Sequence, residues 1–279
     1  MKLAFIGLGV MGEPMCRNLA RKSGAQVAGF DRDSAPLLRL AEAGVIATQS
    51  IGEAAREAQM IFLSLPSGEV VDAVVHAADG LLAHAQAGQT IVDTSTSPVD
   101  LTRALAREFA ARGVAFVDAP VARTRAAAEA GTLSVMVGAS AEVFERIRPL
   151  IACYASEIAH CGDVGCGQVV KIMNNMVLFE TVAALAEAKA IAVRAGVDPK
   201  VLFETLACGS ADSFALRNHG MKAMLCGEFP LRAFSVDYAR KDLRYALELA
   251  RHSGVDAAGA QLVDARFERA KAAGFGDRY

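Results

Sequence analysis

A short apolar strand running straight into a glycine-rich turn constrains this chain most. Lys2–Ile6 reads as a buried strand, Gly7-Leu8-Gly9-Val10-Met11-Gly12 follows, and a helical pattern continues through Met15, Leu19 and Ala20. A second strand, Gln26–Phe30, ends at Asp31. Strand, G-x-G-x-x-G, helix, strand and an acid about 20 residues on form the signature of a dinucleotide site. Gly7 permits the tight turn, Gly9 lets a pyrophosphate approach the backbone at the helix N-terminus, and Gly12 lets helix and strand pack closely. Leu8, Val10 and Met11 complete the cofactor loop. The alternative is a glycine-rich turn with a purely structural role. Asp31 is placed to accept hydrogen bonds from an adenosine ribose and to repel a 2′-phosphate, which favours NAD and makes NADP the weaker expectation. Arg32 follows directly and partly offsets that repulsion.

Strands and helices then alternate. Helical patterns cover 35–43, 51–58, Gly68–His76, 99–112 and 141–152, and strand patterns cover 60–65, Thr90–Asp93, Ala115–Asp118, 134–137 and 157–161. Such alternation implies a mostly parallel, doubly wound sheet with helices on both faces. Ligands bind outside the carboxyl ends of its strands. Leu65-Pro66, Ser95-Thr96 and the 118–124 segment all sit at such ends. Thr96 is expected near the cofactor, although Thr94-Ser95-Thr96-Ser97-Pro98 is also a good helix start.

Beyond the glycine-rich 162–167 segment no strand pattern remains, and helical patterns recur at 169–195, 199–207, 215–225, 235–253 and 257–272. The reading is therefore two domains, 1–162 and 163–279, the second all-helical and opening on a long helix. A length of 279 residues suits two domains. That long helix is apolar except at Gln168, Lys171, Asn174 and Asn175. At about 3.6 residues per turn, 168, 171 and 175 share one face. A lysine on a buried helix is costly unless partners satisfy it, and the amides one turn away are placed to help. It is either an acid/base group carried into a closed site or a lysine snorkelling out at a helix edge.

Composition excludes other classes. A net charge of −2 points to neither nucleic acid nor an anionic membrane. With 53% hydrophobic and 22% charged residues, the chain reads as a soluble globular protein. No stretch reaches the roughly 18–20 uninterrupted apolar residues of a membrane span. The N-terminus only faintly imitates a signal peptide, its apolar run breaking at Gly7 and Gly9. The six cysteines form no C-x-x-C pair and suit a reducing cytoplasm. His160, Cys161 and Cys166 match no common ligand spacing, so no metal is expected.

Taken together, these pieces resemble the β-hydroxyacid dehydrogenases, the family of 3-hydroxyisobutyrate and tartronate-semialdehyde dehydrogenases. The resemblance runs from Gly7–Gly12, Met15 and Asn18-Leu19 through Leu65-Pro66, Asp93-Thr94-Ser95-Thr96 and Asp118-Ala119-Pro120-Val121 to Gly131-Thr132-Leu133. It continues in Gly165-x-Gly167-x-x-x-Lys171-x-x-Asn174-Asn175 and Lys241-Asp242-Leu243. It implies a Rossmann domain joined by a long interdomain helix to a helical domain, with the active site in the cleft. It implies that Lys171 is the catalytic lysine, that Asn175 positions substrate and lysine, and that Asn174 stands beside them. It places Thr96 at the nicotinamide end of the cofactor, with Leu65 and Pro66 lining its site and Lys241 closing over it. Asp242 resembles a supporting partner; on residues alone, Lys241-Asp242 would read as a surface ion pair of little worth. Lysine burial is expected to lower its pKa toward the working range.

One departure stands out. Most of the family carries Ser-Gly-Gly after Asp-x-Pro-Val, where a hydroxyl and backbone N–H groups hold a substrate carboxylate; here the residues are Ala122-Arg123-Thr124. Arginine presents a fork of donors suited to multi-oxygen anions. The Arg-Thr pair resembles the sulfolactaldehyde reductase branch, whose substrate carries a sulfonate. The expected substrate is a small anionic 3-hydroxy acid or semialdehyde, a sulfonate or a short carboxylate such as succinic semialdehyde, held by Ser95, Ala122, Arg123, Thr124, Asn174 and Asn175. Alternatively, Arg123 points to solvent and Thr124 merely caps a turn. Two rivals share the architecture, a non-catalytic NAD-binding adaptor and an imine reductase; both commonly lack the lysine that stands here at 171. The apolar long helix suggests a homodimer or homotetramer. The chain ends at Gly276–Tyr279, somewhat early for the family, so the resemblance implies that a C-terminal helix is missing here.

Overall fold

The computed structural model describes residues 1–231 and 234–279. They divide into two compact units, Met1–Lys171 and Ile172–Tyr279. The first holds, in chain order, β1 (Lys2–Ile6), α1 (Gly12–Lys22), β2 (Gln26–Phe30), α2 (Ser34–Ala41), β3 (Ile46–Ala47), α3 (Ile51–Ala55), β4 (Met60–Leu63), α4 (Gly68–His76) and α5 (Leu81–His84). It continues with β5 (Thr90–Asp93), α6 (Val99–Ala110), β6 (Ala115–Asp118), β7 (Val121–Ala122), α7 (Arg125–Ala130), β8 (Leu133–Gly138), α8 (Ala141–Ile151) and β9 (Ala155–Gly162). The strand order is β3-β2-β1-β4-β5-β6-β8-β7, with β9 beside β8. Its first six strands are parallel, in the doubly wound 3-2-1-4-5-6 order.

Alternation along single strands shows why the sheet is covered on both faces. Leu3 and Phe5 of β1 enter one apolar cluster with Met15, Leu19 and Tyr154, while Ala4 and Ile6 enter the opposite one with Leu63, Ile91 and Phe109. β4 and β5 are buried throughout, as expected of parallel strands between helical layers. The parallel pattern ends at β8, which runs antiparallel to β6 and β7. The chain turns back between β7 and β8, so β8 and β9, parallel to each other, form a reversed edge. Run-length patterns alone do not reveal strand direction.

The long helix α9 (Cys166–Arg194) spans 29 residues and belongs to both units. Its first two turns count with the sheet because their polar groups are bonded to strand-end loops there, as described below. The second unit continues with α10 (Pro199–Leu206), a π-helix (Leu216–Met224), α11 (Val236–His252) and α12 (Ala258–Ala272). The π-helix stands where an ordinary helix over 215–225 was expected: Leu225 N–H reaches back five residues to Gly220 O. Phe179 packs with Leu243, Ala260 and Val263, and Leu185 packs with Phe203 and Leu216.

Candidate active site

The glycine turn assigns each glycine a separate physical role. Gly7 has φ +89°, and a Cβ there would lie 2.3 Å from the Ser64 carbonyl oxygen. At Gly12 a Cβ would lie 2.0 Å from the Gly7 carbonyl oxygen. Gly9 is different: a Cβ would meet nothing within 4 Å. The first two glycines let protein backbone approach protein backbone, and Gly9 leaves open space beside the helix start. α1 begins with no side-chain cap from Met11, so its N-terminal N–H groups suit an anion. Leu8 is buried and Val10 is exposed. Asp31, at the end of β2, accepts from Leu8 N–H at 2.5 Å and from Asp33 N–H at 2.9 Å. A carboxylate has roughly four acceptor positions, so these bonds leave it capacity for a ribose hydroxyl. Arg32 is exposed beside it. This donor and acceptor set fits an adenine dinucleotide.

Two buried aspartates organise the loops at the neighbouring strand ends. Asp93 accepts from Ser95 N–H at 2.9 Å and from the Ser97 hydroxyl at 3.3 Å. Asp118 accepts from Gly165 N–H and Gln168 N–H, both at 2.7 Å, and so caps the start of α9. Gly167 is required at this junction, because a Cβ there would lie 2.4 Å from the Met136 carbonyl oxygen. Leu65 N–H donates to the Ser95 hydroxyl at 2.9 Å. Pro66 beside it is exposed. Thr96 is buried, yet its hydroxyl has no protein partner among the described residues, whereas Ser95 is engaged in holding the loop.

Burial pushes the carboxyl of Asp93 up to about 7 and that of Asp118 up to about 6, from an ordinary 3.8. The N–H and hydroxyl donors around them pull the other way and only partly offset desolvation. The folded state therefore holds these protons more tightly than the unfolded chain. Stability from this pair is greatest below the unfolded value and falls as pH rises toward the folded values. Glu13 has the opposite sign, since its bonds to Arg39 hold it below its ordinary 4.5, but it acts only as pH falls beneath that value. The cofactor-free melting temperature should decline between about pH 5 and pH 7.5, and Asp93→Asn should flatten that decline. Thermal melts across the range measure it; an identical slope in the variant refutes the assignment.

Lys171 lies on α9 one turn after Gln168 and is only 8% exposed. It does not snorkel to solvent. Asn175, four residues on, is also buried. Its amide donates to Asp242 Oδ2 at 2.7 Å, and its carbonyl oxygen accepts from the Asn174 amide at 3.0 Å. Lys241 Nζ forms an ion pair with Asp242 Oδ1 at 2.8 Å. The same ammonium sits over the rings of Tyr238 and Tyr245, at 4.4 and 5.1 Å. With Asp242 1% exposed, the surface-pair alternative for Lys241-Asp242 does not describe this geometry. One buried carboxylate joins Asn175 to Lys241.

The 122–124 segment is the least expected part. Arg123 adopts φ 87°, in the left-handed region that favours glycine. A non-glycine residue there costs about 1–2 kcal/mol. Its guanidinium donates to Thr132 O at 2.6 Å and to the Ser156 hydroxyl at 3.1 Å. Thr124 N-caps α7, accepting from Ala127 N–H, as the capping alternative has it. Ala122 lies in β7, paired with Ser134. The segment is anchored from α1: the Asn18 amide donates to Ala128 O at 2.9 Å and Glu129 O at 3.3 Å at the end of α7. The anchoring by Asn18, and the roles of Asp93 and Gln168, go beyond what residue reading assigned. The available signal was polar residues at the ends of fully apolar strands and on an apolar helix.

The family model for the NAD binding domain of 6-phosphogluconate dehydrogenase matches residues 2–162, and that for the NAD-binding region of NADP-dependent 3-hydroxyisobutyrate dehydrogenase matches 165–278. A 2-(hydroxymethyl)glutarate dehydrogenase of Eubacterium barkeri is 37% identical over 99% of this chain and 91% of its own. The chain belongs to the β-hydroxyacid dehydrogenase family. A family member from Pseudomonas aeruginosa, a 3-hydroxyisobutyrate dehydrogenase, is 38% identical over 88% of this chain and 84% of its own. The Mycobacterium tuberculosis 3-hydroxyisobutyrate dehydrogenase solved with L-serine is 31% identical, with a TM-score of 0.90 over 99% of this chain and 95% of that one. Imine reductases, at 17–19% identity, share the fold. The chain is thus an NAD-dependent hydroxyacid dehydrogenase of this family, built on a Rossmann-type domain followed by a helical one. No helix among the described residues is long and apolar enough to cross a membrane.

Proposed function

We propose that the protein catalyses reversible hydride transfer between a nicotinamide cofactor and a small anionic 3-hydroxy acid or its semialdehyde. The observation that carries the reading is Lys171, a buried lysine on a helix whose start is bonded to the strand-end loops of a glycine-turn sheet. When bound, the nicotinamide supplies or accepts the hydride. Lys171 takes the proton from the carbinol oxygen during oxidation and returns it during reduction. Asn175, fixed by Asp242, orients substrate and lysine. Thr96, with Leu65 and Pro66, lines the nicotinamide end, and Lys241 closes over the cofactor. Asp31 selects NAD, while exposed Arg32 leaves some tolerance for NADP. Retention of Lys171 and Asn175 speaks against an adaptor and against an imine reductase.

The substrate's acid group is read by the 122–124 segment. Arg123 is held there by two neutral acceptors, Thr132 O and the Ser156 hydroxyl. A carboxylate or sulfonate makes stronger, charge-assisted bonds and would draw the guanidinium from them. Relatives named for 2-(hydroxymethyl)glutarate and 3-hydroxyisobutyrate favour a carboxylate, and the Arg-Thr pair keeps a sulfonate such as sulfolactaldehyde in view. A panel of 3-hydroxyisobutyrate, tartronate semialdehyde, succinic semialdehyde, sulfolactaldehyde and neutral analogues, each with NAD(H) and NADP(H), tests the reading. Anionic substrates should lead neutral ones by about 10- to 100-fold in kcat/KM, the worth of a hydrogen bond to a charged group. Equal rates for both would end the anion assignment.

The free thiols of all six cysteines fit a reducing cytoplasm. One stripe of α9, through Val170, Val177, Ala184 and Ile191, is apolar and exposed, with Val177 at 56% and Ile191 at 67%. This favours a homodimer or homotetramer built along that helix, which sedimentation would show as an oligomer at micromolar concentration.

A further inference from the structure

We propose that Gln168 is a positioning residue for hydride transfer, one amide that holds the Thr96 loop and the Lys171 helix turn in a single frame. The inference rests on the reaction proposed above.

Gln168 is completely buried, three residues before Lys171 on α9. Its backbone N–H is bound by Asp118. Its side chain spans the loop after β5: the amide nitrogen donates to Ser95 O at 2.8 Å, and the amide oxygen accepts from Ser97 N–H at 3.1 Å. These two bonds flank Thr96, whose hydroxyl is left available. Ser95 in turn takes the Leu65 N–H on its hydroxyl. The three positions assigned to the nicotinamide end and the proton transfer, at Leu65, Thr96 and Lys171, are thus connected through one side chain.

No other side chain reproduces this. Ser95 offers an acceptor and Ser97 a donor, so only an amide in one orientation satisfies both. A glutamate would accept from Ser97 but give nothing to Ser95, and would add a third carboxylate close to Asp93 and Asp118. Asparagine is one methylene too short to reach both sides while its backbone stays on Asp118. An aliphatic residue would fill the space and leave both loop groups unbonded. The rate of a group transfer is sensitive to such placement, since an error of about 1 Å costs roughly 100-fold.

Gln168→Met keeps the volume and removes both bonds. In the cofactor-free protein, amide hydrogen exchange over 94–97 should quicken while α1 and the glycine turn stay as protected as in the wild type. NADH affinity should stay within about threefold, because the adenine half of the site is untouched. Turnover should fall about 10- to 100-fold, and the isotope effect on kcat with NADH deuterated at C4 should rise as hydride transfer becomes limiting. Unchanged exchange, or unchanged kcat and isotope effect, overturns the proposal. So does a fall in NADH affinity that accounts for the whole loss. If Gln168→Met does not stay folded, Gln168→Asn, which retains a buried amide, is read by the same measurements; its failure to fold would assign Gln168 to stability and overturn the positioning role. Absence of hydroxy-acid turnover in the wild type would instead defeat the reaction reading, while the exchange result would still report on the clamp.

Discussion

Lys171→Ala should retain NADH binding and lose turnover by about two to four orders of magnitude, the usual worth of a positioned acid/base group. The lysine is buried in the first turns of α9, on the face it shares with Gln168 and Asn175. Alanine preserves the helix, and the capping of α9 by Asp118 involves only backbone groups at Gly165 and Gln168. The folding cost should therefore be small beside the catalytic one. Lys171→Met is the companion variant, since it keeps most of the stem volume and removes the ammonium. Fluorescence titration with NADH and steady-state rates on the best substrate of the panel separate binding from chemistry. Turnover near the wild-type level in either variant would remove Lys171 from the mechanism.

The second large effect is a contrast between two glycines of one turn. Gly7→Ala should destabilise the protein severely, because the residue must hold φ +89° and its new methyl would press on the Ser64 carbonyl at 2.3 Å. Left-handed strain alone is about 1–2 kcal/mol, and the clash is with backbone that cannot rotate away. Gly9→Ala should leave the melting temperature within about a degree of wild type, since the added methyl meets no protein atom within 4 Å. It should nevertheless weaken NADH binding by at least about tenfold, or 1.4 kcal/mol, if the pyrophosphate lies against that Cα. Melting curves and cofactor titrations on the two variants make the comparison. A Gly9→Ala protein with wild-type NADH affinity would place the cofactor elsewhere.

These outcomes trace the difference between local and distant information in the chain. The glycine turn, the strand and helix periods, and the lysine on an apolar helix are encoded within a few residues of one another. Steric rules and side-chain alternation act at that range, so the parallel sheet and the all-helical second half were legible from residues 1–279. The direction of Arg123 was not legible. Its fork was expected to face a substrate anion, and it is bonded to Thr132 and Ser156, nine and 33 residues away. Arg123 holds its left-handed φ of 87° directly after β7, where β7 pairs with β8.

The same holds for the polar frame around Lys171. The sequence by itself determined that Gln168, Lys171 and Asn175 share a helix face, because helical geometry is periodic. Only the tertiary structure decided what that face meets. The Gln168 amide closes on Ser95 and Ser97 across 73 and 71 residues, and Asp118 caps α9 across 47 and 50. Such pairings depend on which strand ends lie side by side, a consequence of sheet order that no local pattern carries. Burial then pushes Asp93 and Asp118 upward, because desolvation is a property of the packed fold and not of the residue.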